Sequence, residues 1–105
     1  MNDEASTLYA KLLGETAAIT WTELEPFFAR GALLRVAGDV DLVAVAAAVA
    51  LDDRSKVEAW LVAGELANMP AEQAQDWVER KPDLWAVVVA PWVLVQERAA
   101  PAALH

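Results

Sequence analysis

Four aspartates bracket one apolar segment, Asp39 and Asp41 ahead of it and Asp52 and Asp53 behind it. Carboxylates gathered around a point are what a hard divalent cation needs, several oxygens at once. Their spacing does not serve that purpose, because the Gly and the bidentate Glu of a calcium-binding loop are not at their positions. A simpler use is available. Asp39 and Asp41 read as cap residues of the helix that follows, and Asp52-Asp53 as the N-cap of the next one, where a carboxylate accepts from orphan backbone N–H groups. Glu23 and Glu25 have the residue type of a general acid/base pair. Two positions apart on a helix, they point in different directions. The single histidine, His105, ends the chain in the Ala/Pro-rich stretch Glu97–His105, which is expected to be disordered. That removes the usual general base, the Ser-His-Asp arrangement and histidine metal ligation. With no cysteine, the chain has no thiolate nucleophile, thiolate metal site or disulfide. Ser6, Thr7, Thr16, Thr20, Thr22 and Ser55 fall at helix starts or on surfaces, outside any G-x-S-x-G or phosphate-cradling glycine loop. The expectation is a protein without catalytic residues, metal or cofactor.

Charge narrows the partners. Sixteen acids against eight lysines and arginines leave a net charge of −8. Such a surface repels the phosphates of nucleic acid and of anionic lipid. Arg54, Ser55 and Lys56 open a helix placed like the reader of a winged helix-turn-helix, but Asp53 and Glu58 flank them. The N-terminal MNDEASTLYAKLLGE begins with acids and has neither the basic nor the apolar region of a signal peptide. No apolar run reaches the ~20 residues of a membrane-spanning helix. A cytoplasmic protein bound to neither nucleic acid nor membrane is expected. Yet 57% of the residues are hydrophobic and five are tryptophan, more than a small domain readily hides. Part of that apolar surface is expected to meet a partner.

The elements that would position these residues read as follows. Leu8, Leu12 and Ile19, widened by Leu13 and Ala17, predict a first helix over Asp3–Ala18, with Gly14 as a weak point. Thr20-Trp-Thr-Glu23 is a capping-box pattern opening a second helix, Trp21–Arg30, which Gly31 ends. Pro26 lies deeper in it than a helix start favours. Ala32–Ala37 predicts a short strand. Asp41–Leu51 and Asp53–Ala63 predict a helical hairpin, its second helix striped by Val57, Trp60 and Leu61 and closed by Gly64. Glu65–Met69 predicts a brief strand. Pro70 fits the first turn of a fifth helix, Pro70–Arg80, with Ala74, Trp77 and Val78 inward.

The last segment, LWAVVVAPWVLVQ (Leu84–Gln96), is apolar on both strand faces. Fully extended it would span about 40 Å, more than a domain of this length measures across. Pro91 donates no ladder hydrogen bond, so it marks an edge, a bulge or a bend. Either the chain turns back at Ala90-Pro91, or Trp92–Val95 reaches a neighbour, and a second copy of the chain is the simplest neighbour. Val89, Pro91, Trp92, Val93, Leu94 and Val95 are therefore the candidate partner-binding residues.

Four segments, TWTELEPFFARG, DLVAVAAAVALDD, VEAWLVAGEL and LWAVVVAPWVLVQ, together resemble the domain of unknown function 2288 family of bacterial proteins. The resemblance covers roughly Leu8 to Gln96, and its last segment is the most specific part. It implies a single-domain bacterial protein and supplies no catalytic residues. The expected architecture is α+β: one domain over residues 1–96, with about five helices on a small two- to three-stranded sheet and a helical hairpin in the middle. The expected role is a self-associating interaction module, a homodimer or other homo-oligomer. A winged-helix DNA binder is one alternative. A binder of a small molecule or metal, using an acidic, Trp-lined cleft, is the other.

Overall fold

A computed structural model describes residues 4–98. In chain order the elements are α1 (Glu4–Glu15), β1 (Ala17–Ile19), α2 (Trp21–Ala29), β2 (Leu33–Val36), α3 (Leu42–Ala50), α4 (Arg54–Ala63), β3 (Leu66–Asn68), α5 (Ala71–Arg80), β4 (Leu84–Val89) and β5 (Trp92–Glu97). The class is α+β, with five helices among the described residues. The sheet has five strands rather than two or three, in the order β1-β4-β5-β2-β3. β5 pairs parallel to β2, and every other pairing is antiparallel.

Two features account for the extra strands. The stretch Leu84–Gln96 turns back at Ala90-Pro91, a cis peptide, and forms two strands in register from Val89 opposite Trp92 to Leu84 opposite Glu97. This turn also re-sorts the faces. Opposed residues of a pair share a face, so Trp92 and Leu94 lie beside Val89 and Val87, while Val93 and Val95 lie beside Val88 and Ala86. A single continuous strand would have grouped them the other way. The second feature is β1. The first helix stops at Glu15 instead of Ala18, and Ala17–Ile19 pairs with Ala86–Leu84 as an edge strand.

Helices cover both faces of the sheet. Val36, Leu66, Val87 and Leu94 pack with Leu12 of α1 and Leu42, Val43, Val45 and Ala46 of α3. On the opposite face Leu33, Leu84, Ala86, Val93 and Val95 pack with Leu24 of α2 and Ala74 and Trp77 of α5. The sheet interior is thus apolar on both sides because each side has its own helix layer.

Two of the four aspartates expected as caps open helices; Asp39 instead lies in the turn before α3, and Asp52 ends α3 rather than opening α4. Asp41 caps α3, its Oδ1 accepting from the N–H groups of Val43 (3.0 Å) and Ala44 (3.2 Å). Its other oxygen accepts from the Tyr9 hydroxyl of α1 at 2.7 Å, which holds the phenol pKa above its ordinary value. Asp53 caps α4 through the Lys56 N–H at 3.3 Å. In the capping box of α2, the Glu23 carboxylate accepts from the Thr20 N–H at 3.2 Å. Pro70 takes the N-cap position of α5, one residue outside the first turn.

Three helices stop in the same way. Gly31, Asp52 and Gly64 have positive φ, and the next N–H reaches back five residues, Ala32 to Phe27, Asp53 to Ala48 and Glu65 to Trp60, all at 2.9 Å. A side chain at Gly64, φ 77°, meets the left-handed penalty of roughly 1–2 kcal/mol. Gly64→Ala is therefore expected to lower unfolding stability by about 1–2 kcal/mol in urea titration, although the space around the position is open.

Candidate functional site

Of the six candidate partner-binding residues, Val93, Leu94 and Val95 are buried inside the chain's own core. They fill the two helix-covered faces of the central strand, so a second chain cannot reach them while the domain is folded. Val89 and Trp92 are half-buried and Pro91 is exposed, at the tip of the β4–β5 hairpin. Pro91 sits in the turn, where a missing N–H costs no ladder bond.

Trp92 forms part of the wall of a cleft of about 590 Å³ between the sheet and the α3–α4 hairpin. Leu34, Leu66, Val49, Val57 and Leu61 contribute its apolar lining, and Asp52, Arg54, Glu58 and Asn68 its polar groups. The local sequence explains the opening. α4 begins at the Asp53 cap and ends at Gly64, and among its ten residues none is buried. Leu61 is 49% exposed and Val62 83% exposed. The expected inward stripe of Val57, Trp60 and Leu61 is thus only partly covered. Val78 of α5, expected inside, is likewise 46% exposed.

Asp41 and Asp53 cap helices, and Asp52 and Asp53 pair locally. Arg54 lies 3.7 Å from Asp52 and Lys56 lies 4.0 Å from Asp53. Among the described residues no three His, Asp or Glu side chains come together as a metal cage. His105 and most of the stretch assigned to a tail, residues 99–105, lie outside the described residues. Glu97 belongs to β5, and Arg98 donates its backbone N–H to the Asp83 carbonyl at 2.8 Å, so both residues are part of the fold.

A second cleft, of about 510 Å³, opens on the other face between α5 and the ends of β2 and β5. Arg35, Gln73, Trp77, Glu97 and the backbone around Gly38 line it. Arg80 bridges its outer wall, bonding both oxygens of Glu97 (2.9 and 3.0 Å) and also Asp76. This guanidinium holds both carboxyls below their usual range. Behind its lining two donors are unmatched. Arg35 Nε and Trp77 Nε1 are both buried without a hydrogen-bond partner. A buried donor left unmatched costs about 1–3 kcal/mol, so natural folds hold few of them. The residues missed by reading the sequence are these. Arg35 was visible only as a strand member, yet a cation inside the apolar run Leu33-Leu-Arg-Val36 was the signal that something polar faces that strand.

Comparison with known proteins gives a family and a solved relative. The family model described as Protein of unknown function (DUF2288) matches residues 7–97. A Pseudomonas aeruginosa protein, solved in solution by NMR, is 63% identical, with 100% of this chain and 97% of that one covered and a TM-score of 0.81. No curated protein matches the chain.

Proposed function

This chain belongs to the DUF2288 family, and from that premise we propose that it is a non-catalytic interaction module of the cytoplasm that self-associates through α4 and the hairpin tip. One observation carries the reading. Val57, Ala59, Trp60, Leu61, Val62 and Ala63 are apolar, yet no residue of α4 is buried within the chain. An apolar helix face open to water beside an apolar cleft is the signature of an interface. Two-fold pairing would lay α4 of one copy against α4 and the Trp92 cleft of the other, an isologous contact. The charge balance supports it. The start of α4 mixes Asp52, Asp53 and Glu58 with Arg54 and Lys56, so the acid excess of the chain lies mainly elsewhere and opposes the contact little.

Sedimentation velocity over a concentration series tests this. The expected result is a dimer whose dissociation constant rises at least about tenfold in Val62→Asp, the equivalent of ~1.4 kcal/mol. The variant monomer should still fold, because Val62 is outside the core. A strict monomer at millimolar concentration would sink the proposal.

The volume of the Trp92 cleft favours a second reading, a small-molecule binder, since ligand sites measure about 300–1,000 Å³. Metabolite-dependent quenching of Trp92 fluorescence in the monomeric variant would promote it. The winged-helix reading has less support, because Arg54 and Lys56 each sit beside an aspartate.

A further inference from the structure

Resting on the small-molecule reading of the Trp92 cleft, we propose that its ligand is a small amphipathic amine, an organic monocation with an apolar body.

The cleft is open to a ligand, since Leu66 alone of its lining residues is buried. One helix face forms a wall of it. Arg54, Val57, Glu58 and Leu61 fall at i, i+3, i+4 and i+7 of α4, so they project together. Leu34 and Leu66 of the sheet add apolar surface, and Trp92 adds an aromatic ring.

The charges along this lining are uneven. Arg54 already has a counter-charge, Asp52 at 3.7 Å. Glu58 belongs to none of the ion pairs among the described residues. Asp52 and Glu58 against Arg54 leave the lining with two negative charges and one positive, a net of −1. Asn68 contributes a neutral acceptor. Its Nδ2 donates to the Gly31 carbonyl at 3.1 Å, which leaves the amide oxygen for another partner.

The chemistry of the occupant follows. The groups left over are acceptors, so the ligand supplies N–H donors. One acceptor is a carboxylate without a counter-charge, and a charge-assisted bond to an ammonium is the strong match for it. The aromatic wall favours the same charge, because a ring face attracts a cation. An anion drawn to Arg54 would meet Glu58 one turn away, about 5–6 Å between Cβ atoms. The apolar lining takes the rest of the ligand. One uncompensated carboxylate calls for one positive charge.

The test is calorimetric titration at constant ionic strength with three probes of one shape: phenethylamine, 2-phenylethanol and phenylacetate. Both the wild-type chain and Val62→Asp are used, the latter because it weakens self-association while leaving the cleft lining unchanged. Phenethylamine is expected to saturate and to bind at least about tenfold more tightly than the alcohol, with phenylacetate weakest. Glu58→Gln should bring the amine and the alcohol within about twofold of each other. Glu58 is exposed, so this variant keeps the fold. Trp92→Leu should weaken the amine by about threefold or more. Equal, saturable binding of amine and alcohol would overturn the amine assignment while the cleft stood as a ligand site. An amine preference unchanged in Glu58→Gln would overturn it too. No saturable binding of any probe in either chain would sink both the assignment and the small-molecule reading.

Discussion

Trp77→Ala is expected to remove about 3–5 kcal/mol of unfolding stability, the range for deleting a fully buried tryptophan. The side chain has no solvent exposure and ties α5 to the sheet. The Trp21 ring of α2 meets it edge-on, with centroids 6.2 Å apart, and Trp21 in turn leans on Phe28 at 5.5 Å. Losing Trp77 therefore loosens two helices at once. A domain of this size has roughly 5–15 kcal/mol in all, so the variant should sit near the edge of folding at ambient temperature. Urea titration followed by far-ultraviolet circular dichroism measures the loss directly. A change under 1 kcal/mol would mean that α5 is not docked as described.

Leu94→Ala is the counterpart on the other side, with an expected cost of about 2–5 kcal/mol. Leu94 is fully buried in the middle of β5, opposite Val87 on one side and Leu34 on the other. Above it lie Val45 and Ala46 of α3. The two substitutions belong to clusters separated by the sheet, so their effects should add to within about 0.5 kcal/mol. A coupling well above that in a double-mutant cycle would show that the helix layers communicate through the sheet.

Local chemistry made most helices readable in advance. Asp41, Asp53 and the Thr20–Glu23 box start α3, α4 and α2 where capping preference places them, and Gly31 and Gly64 end helices where left-handed backbone is needed. The family resemblance also agrees with the matched residues 7–97. Non-local pairing was harder to read. Ala17-Ala-Ile19 has helix-favouring alanines and continues the spacing of Leu8 and Leu12, and only pairing with β4 makes it a strand. The turn at Ala90-Pro91 lacks the Gly or Asn that usually marks a hairpin, so two strands resembled one. Among the site residues, Pro91 and Trp92 were recognisable as a break and its neighbour. That Val93–Val95 would be consumed by the core depended on helices lying on both faces. Arg35 and Trp77 are 42 positions apart, and nothing local in the sequence brings them to one cleft.

The sheet order has a consequence for the time course of synthesis. β1–β4 and β2–β3 touch only through β5, and β5 is the final strand of the described chain. Leu33 waits 60 residues for its partner Val93. At about 5–20 residues per second the ribosome takes roughly 3–12 s to supply it. Throughout that interval Leu33 and Val36 have no neighbour on one side, and a β2–β3 pair alone is marginal in water. Nascent chains that stop short of Trp92 thus hold every helix of the described residues but no closed sheet. Shielding by a chaperone matters most over those seconds.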